Sequence, residues 1–283
     1  MSKRPILISF SGGRTSAFMA KFILEHEKYR DREKVVCFAN TGKEFNETLD
    51  FVNECDKRWG LGVVWLETVV HPERGVGCSF RVVDYDTASR DGEPFREVIK
   101  KYGIPNKQFP HCTRELKQVP IKKYMQSLGY KEWDTAVGIR ADEPHRLSRT
   151  PDGNFINPMF PLADDVKVDE SFIRNWWAVQ DFDLNLKDYE SNCDLCWKKS
   201  KRKRLTLIDE HPFVWEWWNK IENEFGAGTY RFDQREGLDI LDLVELAKKP
   251  FRKAMDKKEL SDLQSSMFDP VMDTEWDCFC KST

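Results

Sequence analysis

Ile6-Leu7-Ile8-Ser9-Phe10-Ser11-Gly12-Gly13-Arg14-Thr15-Ser16-Ala17 is the stretch whose reading decides the fold. Pro5 to Phe10 is a short apolar run and reads as a buried strand. Ser11, Gly12 and Gly13 make a turn, and Thr15 to Tyr29 reads as a helix with Phe18, Phe22 and Ile23 on one side. Strand, glycine turn and helix form a geometry that binds phosphate: glycines let the backbone approach an anion, and the first helical turn offers unpaired N–H groups. Ser11, Thr15 and Ser16 add hydroxyl donors, and Arg14 adds positive charge. An ordinary strand-to-helix turn has the same outline. A Walker A loop is excluded, because no Lys-Ser/Thr follows a second glycine at the required spacing.

Lys34 to Asn40 reads as a second buried strand, Asn46-Glu47-Thr48-Leu49 opens a helix, and Val63 to Leu66 and Trp133 to Ile139 read as further strands. Strands alternating with helices predict an α/β fold with a doubly wound parallel sheet, whose ligands lie at the carboxyl ends of the strands. The turns at Ser11 and Asn40 therefore share one rim. Cys78 to Tyr85 is a candidate strand within Val70–Asn106, the remainder of which reads as surface loop and short helix in an irregular insertion at that rim. Its Arg74, Arg81, Arg90 and Arg96 are expected to be solvated. Pro120 to Ser127 reads as a helix with Tyr124 and Leu128 facing inward. From Asp169 the chain reads as helical, with segments at Phe172–Trp177, Pro212–Phe225, Leu238–Lys248 and Lys257–Met267. Trp176, Trp177, Trp215, Trp217 and Trp218 are expected as core between this half and the sheet.

With 283 residues, 40% of them hydrophobic and 13% aromatic, the chain can bury a full core. A net charge of −3 provides no global field toward nucleic acid. No apolar run approaches the ~20 residues of a membrane span, and Ile6–Phe10 is too short for a signal-peptide core. The expectation is a cytoplasmic protein with no membrane partner. Eight cysteines are too sparse for a disulfide scaffold. Cys193-x-x-Cys196 can present two thiolates to one metal or cluster, with zinc and a redox pair as rivals. The run Lys198 to Arg204 is either a solvated helix face or a contact to a nucleic-acid backbone.

Several of these stretches carry a resemblance. Ser11 to Ser16 resembles the PP-loop (Ser-Gly-Gly-x-Asp-Ser) of the ATP-pyrophosphatase and phosphoadenosine-phosphosulfate (PAPS) reductase superfamily, with Thr15 where most members carry Asp. Asn40 to Thr48 is similar to the Asp-Thr-Gly-x-x-Phe-x-Glu-Thr segment of PAPS reductases, which lies beside the nucleotide. Phe109 to Pro120 resembles a segment of the adenylyl-sulfate and PAPS reductase group, with His111 replacing the first of two adjacent cysteines and Cys112, Lys117 and Pro120 retained. Gly138 to Glu143, with Arg146 and Arg149, is similar to the element that contacts phosphate or sulfate. Asn157 to Leu162 resembles the Asn-Pro-Leu segment before the family's C-terminal helices.

The resemblance covers Pro5 to Trp197. It implies an adenine nucleotide alpha-hydrolase-like domain over residues 1–168, and a helical C-terminal region over 169–283 with the Cys-x-x-Cys and a cysteine tail. It implies a nucleotide site at Ser11, Gly12, Gly13, Arg14, Thr15, Ser16, Asn40, Thr41, Gly42, Glu44, Gly138 and Arg140, binding ATP with Mg²⁺, or PAPS as a substrate. It further implies a [4Fe-4S] cluster on Cys112, Cys193 and Cys196, the fourth ligand being Cys278, Cys280 or none. In one reaction, substrate oxygen attacks the α-phosphorus and pyrophosphate leaves, with Lys117 and Arg140 at the reacting centre. That chemistry would serve sulfur transfer or nucleic-acid modification, with a sulfur donor protein as partner. In the other, Cys280 attacks the sulfur of PAPS or adenylyl sulfate, with thioredoxin as reductant. Family reductases end in Glu-Cys-Gly-Leu-His, and neither Cys278 nor Cys280 is followed by Gly-Leu-His, so the transferase is the expected activity. The Thr15 departure leaves a non-catalytic nucleotide sensor as the third expectation.

Overall fold

A computed structural model describes residues 3–147, 156–234 and 236–256. Arg149, the helix expected at Lys257–Met267, Cys278 and Cys280 lie outside the described residues. The first half alternates as expected: β1 (Ile6–Ser9), α1 (Arg14–Glu25), β2 (Lys34–Ala39), α2 (Asn46–Trp59), β3 (Val64–Val70), β4 (Cys78–Val83) and α3 (Glu93–Tyr102). Then follow α4 (Val119–Ser127), β5 (Asp134–Ala136), α5 (Pro144–Leu147), β6 (Pro158–Met159) and α6 (Pro161–Asp164). The chain continues through α7 (Glu170–Ala178), α8 (Lys201–Glu210), α9 (Glu216–Phe225) and α10 (Ile240–Ala247).

The strands form one sheet in the order β4-β3-β2-β1-β5-β6. Its inner strands are parallel and nearly continuous in apolar residues, because helices cover both faces. The edge departs from the expected parallel sheet: β4 runs antiparallel to β3, with Val70 opposite Cys78. The link His71–Gly77 is too short for the crossover that a parallel neighbour needs. Two further expectations change. The first helix stops at Glu25, where His26 turns extended and Tyr29 enters the core to donate its hydroxyl to Asp165. The short helix expected in the insertion is the amphipathic α3, with Phe95, Val98 and Ile99 buried at helical spacing. Leu128 is exposed, the chain having left α4 one residue earlier.

Among the five tryptophans expected as core, Trp177 and Trp218 are buried and Trp176, Trp215 and Trp217 are half-buried. Trp177 packs on Phe51, Trp59 and Phe182, while Trp218 packs on Phe95 and Phe232. Ile173, Trp177, Leu184 and Leu186 share one apolar cluster with Ile6, Ile8 and Phe10 of the sheet, so the core runs across the 168/169 junction. Among the described residues, no helix is long and apolar enough to cross a membrane.

Glu67, fully buried on β3, fixes the sheet edge. Its Oε1 accepts from the Asn40 side-chain amide (2.7 Å) and the Ser89 backbone (2.7 Å), and its Oε2 accepts from Arg81 Nε (2.9 Å). Arg81, expected in solvent, is instead the half-exposed cover of this carboxylate and also reaches Glu93. Glu67→Ala leaves two enclosed donors unpaired, and should lower the unfolding free energy in urea by about 2–4 kcal/mol. The solvent-accessible Arg81 contributes little to that loss.

Candidate active site

At the centre of the sheet β1 lies between β2 and β5, where the order of connection reverses and a crevice opens at the strand ends. The turn after β1 fills that crevice. Gly12 has φ +80, and a Cβ there would sit 2.6 Å from Thr48 Cγ2, so the position demands glycine. Ser16 folds the turn inward: its hydroxyl accepts from the Ser11 backbone (3.2 Å) and donates to the Gly13 carbonyl (2.9 Å). Gly13 is the N-cap of α1, and Ala17 makes the first intrahelical bond back to it. The N–H groups of Arg14, Thr15 and Ser16 therefore head the helix without intrahelical acceptors, as an anion requires. Gly138 packs against them, since a Cβ on it would lie 3.3 Å from Ser16 Cα.

Arg14 does not add a free charge to that turn, as its sequence position suggested. Its Nε donates to Asp183 (2.7 Å) and its other nitrogens reach Asp183 and the carbonyls of Leu184 and Leu186. Trp177 Nε1 donates to the Arg14 carbonyl at 3.1 Å. The residue clamps the turn to the segment after α7.

A cavity of roughly 480 Å³ opens beside the turn, within the range of small-molecule sites. Ser11 to Ser16, Glu44, Lys117, Gly138 and Arg140 all line it. Nine basic and four acidic side chains line it among the described residues, against a chain that is net negative. Lys117 arrives on a π-helical turn, Arg114–Gln118, closed by the Val119 N–H onto the Arg114 carbonyl. Pro120 explains the widening, because it has no N–H for the preceding turn and its ring crowds the carbonyl four residues back.

Burial works against the charge of Arg140, but Asp142, Glu143 and Glu170 outweigh it and raise the guanidinium above its ordinary value. Asp142 is the closest, at 2.9 Å. Asn40, Thr41 and Gly42 do not line the cavity. Asn40 is buried on Glu67 and the Ser89 carbonyl, and its side-chain oxygen accepts from the Gly42 N–H. Thr41 donates to Glu44 Oε2 through its backbone (3.0 Å) and its hydroxyl (2.7 Å). Glu44 Oε1 lies 3.4 Å from Lys117 Nζ.

Cys193 and Cys196 sit behind this rim. Cys193 pairs its backbone with Glu44, and its sulfur is 3.5 Å from Thr41 Oγ1. A hydrogen bond with Cys196, then burial, then the Glu44 charge push the Cys193 thiol up. Cys112 packs on the same apolar cluster as the pair, and Lys198 Nζ donates to Thr113 Oγ1 at 2.9 Å to tie the two segments. The three sulfurs do not all lie within 4.8 Å of one another, as a single tetrahedral ion with sulfur ligands near 2.3 Å needs. Among the described residues, Glu190, Glu210 and His211 do form such a group. Lys187 and Tyr189 hold Glu210 there, and His211 holds Glu190.

The basic run is not a uniformly solvated helix face. Lys199 is buried and donates to the carbonyls of Cys193 and Asp194, and Arg204 is buried on Asp233. Lys199 and Lys203 line the cavity. So do Lys122, Arg174, Lys187, Gln118 and Trp133, which sequence reasoning missed. Lys187 is a lone loop lysine with no local signal. Arg174 had one, its helical i,i+4 spacing to Glu170.

Residues 5–76 match the family of the phosphoadenosine phosphosulfate reductase domain. The chain is 36% identical over 229 residues to the uncharacterized nin region protein ORF290 of Escherichia phage lambda, which covers 79% of this chain and 75% of that protein. It is 28% identical over 238 residues to the uncharacterized protein MJ0066 of Methanocaldococcus jannaschii, covering 79% of this chain and 42% of the relative. MJ0973 of the same organism is 27% identical over 228 residues, at 77% and 47% coverage. The chain thus spans less than half the length of these two archaeal relatives.

Gly13 has ordinary backbone angles, and a Cβ there meets nothing within 4 Å. Gly13→Asp should therefore melt within a few degrees of the wild type while losing measurable binding of inorganic tripolyphosphate in calorimetry. Retained binding by the folded variant would remove the anion site from this turn.

Proposed function

The chain belongs to the phosphoadenosine phosphosulfate reductase-like family, and from that premise we propose an enzyme that binds ATP along the β1 rim and adenylates a substrate with release of pyrophosphate. The observation that carries this reading is a basic cavity built around a glycine turn and an open helix N-terminus in a net-negative chain. A polyanion gains most from that lining, and backbone donors fixed in advance cost no reorganisation when charge develops.

In this reaction a substrate oxygen forms a bond to the α-phosphorus while the bond from that phosphorus to the pyrophosphate oxygen breaks. The N–H groups of Arg14, Thr15 and Ser16 hold the departing pyrophosphate, and Lys117 and Arg140 offset its charge. Glu44, whose Oε1 accepts no hydrogen bond, would hold the Mg²⁺ that accompanies the nucleotide. Cys112, Cys193 and Cys196 would hold the iron–sulfur cluster that supplies sulfur or electron transfer, their shared apolar setting being the feature that suits it. The acceptor enters past Lys187, Lys199 and Lys203, which suits an anionic substrate such as nucleic acid.

Purified under anaerobic conditions, the protein should release pyrophosphate from ATP when its acceptor is supplied, and none after Gly13→Asp. It should carry iron with a broad visible absorbance that Cys193→Ser removes. It should release no sulfite from PAPS or adenylyl sulfate with thioredoxin present. Sulfite release lost on Cys280→Ser would replace the transferase with a sulfonucleotide reductase. Tight ATP binding without turnover, across RNA, DNA and protein acceptors, would leave a nucleotide sensor.

A further inference from the structure

The C-terminal end of α8 is short of positive charge. Its last turn carries no basic residue, yet Asp209 and Glu210 stand there and the helix dipole leaves that end partly negative. His211 caps the helix, its backbone N–H donating to the Leu207 carbonyl at 2.8 Å. Against this end lies the loop that precedes the cysteine turn. Glu190 closes that loop on itself by accepting from the Lys187 N–H at 2.6 Å, and it is buried.

One carboxylate oxygen of Glu190, one of Glu210 and a ring nitrogen of His211 all lie within 4.8 Å of one another. Ligand atoms on a tetrahedral ion with bonds of ~2.0–2.2 Å stand about 3.4 Å apart, so shifts on the order of 1 Å close the set. The groups around these three side chains hold them in place, as the outer partners of metal ligands do. Tyr189 donates its hydroxyl to Glu210 Oε2 at 2.7 Å, and the Phe45 ring packs 5.0 Å from that of His211.

The balance of charge asks for a cation. Lys253 takes Asp209 at 2.5 Å. Lys187 Nζ is 3.2 Å from both oxygens of Glu210, longer than the ~2.7–2.9 Å of a tight charged bond. Its side chain is 41% exposed, so it can move aside. Among the described residues, the one side chain bonded to the buried Glu190 is His211, at 2.8 Å. A carboxylate withdrawn from water needs an opposite charge, and a neutral imidazole does not supply one.

We propose that Glu190, Glu210 and His211 bind a divalent transition-metal ion of the zinc class. An imidazole with two carboxylates suits zinc better than magnesium, which takes oxygen ligands. None of the three side chains lines the cavity, whereas Lys187, Asp188 and Tyr189 do. The ion therefore staples the cavity wall, and the cysteine turn that follows it, to the end of α8. The assignment stands apart from the nucleotide reading and from the cysteine set.

Cobalt, a spectroscopic stand-in for zinc, tests this on the full-length protein without nucleotide. A Co²⁺ equivalent should bind with weak visible bands and without sulfur-to-metal charge transfer, and the melting temperature should rise. Zn²⁺ should displace it and excess Mg²⁺ should not. His211→Gln should weaken its affinity at least about tenfold and remove the thermal gain. Glu210→Gln should do the same, and it decides alone if His211→Gln fails to fold. Absence of cobalt binding overturns the proposal and leaves a protonated His211 on Glu190 as the latch. A spectrum made up of sulfur-to-metal charge transfer alone puts the ion on the cysteines, and affinity that survives both substitutions puts it elsewhere; either result also overturns it.

Discussion

The buried carboxylate of Glu44 is where three segments remote in sequence become one site. It takes two donors from Thr41 on its own turn, faces Lys117 on the π-helical turn, and pairs its backbone with Cys193. Lys43 and Asp194 repeat the contact one residue along, by an ion pair at 2.8 Å and a backbone bond at 2.7 Å. A carboxylate removed from water must have its partners in place, and losing one costs more than the pair contributes. The rim turn, the lysine turn and the cysteine turn therefore hold their positions together. The cysteine pair sits directly behind the wall of the cavity.

Charge is handled locally. The chain is net negative, yet its cavity is lined by an excess of cations, and their charge is concentrated by walls of low polarity. Several of these cations are anchored by neighbouring groups of the protein: Lys199 by two carbonyls of the cysteine turn, Arg140 by three carboxylates. Such anchoring removes side-chain freedom before any ligand arrives, so less entropy is lost on binding.

The alternating strands, the glycine turn and the amphipathic α3 were legible because they rest on local pattern and period. What escaped reading depends on partners far along the chain. Nothing near Arg14 announces that Asp183 takes its guanidinium, and nothing near Asn40 announces that Glu67 turns it inward, away from the cavity. The antiparallel β4 follows from the shortness of a link, a clue present in the sequence but outweighed by the parallel pattern around it. Lys199 and Arg204 read as surface because charged runs usually are; their burial depends on the carbonyls and the Asp233 carboxylate that meet them.

The clamp on Arg14 bears on the way the molecule is made. The glycine turn leaves the ribosome before the groups that orient it, Trp177, Asp183, Leu184 and Leu186, which are synthesised some 170 residues later. At roughly 5–20 residues per second, the nascent turn waits on the order of ten seconds or more for its clamp. During that time the exposed N–H groups and an unpaired guanidinium are open to any passing polyanion. A fragment ending before the clamp would carry the whole sheet without the means to set its central turn.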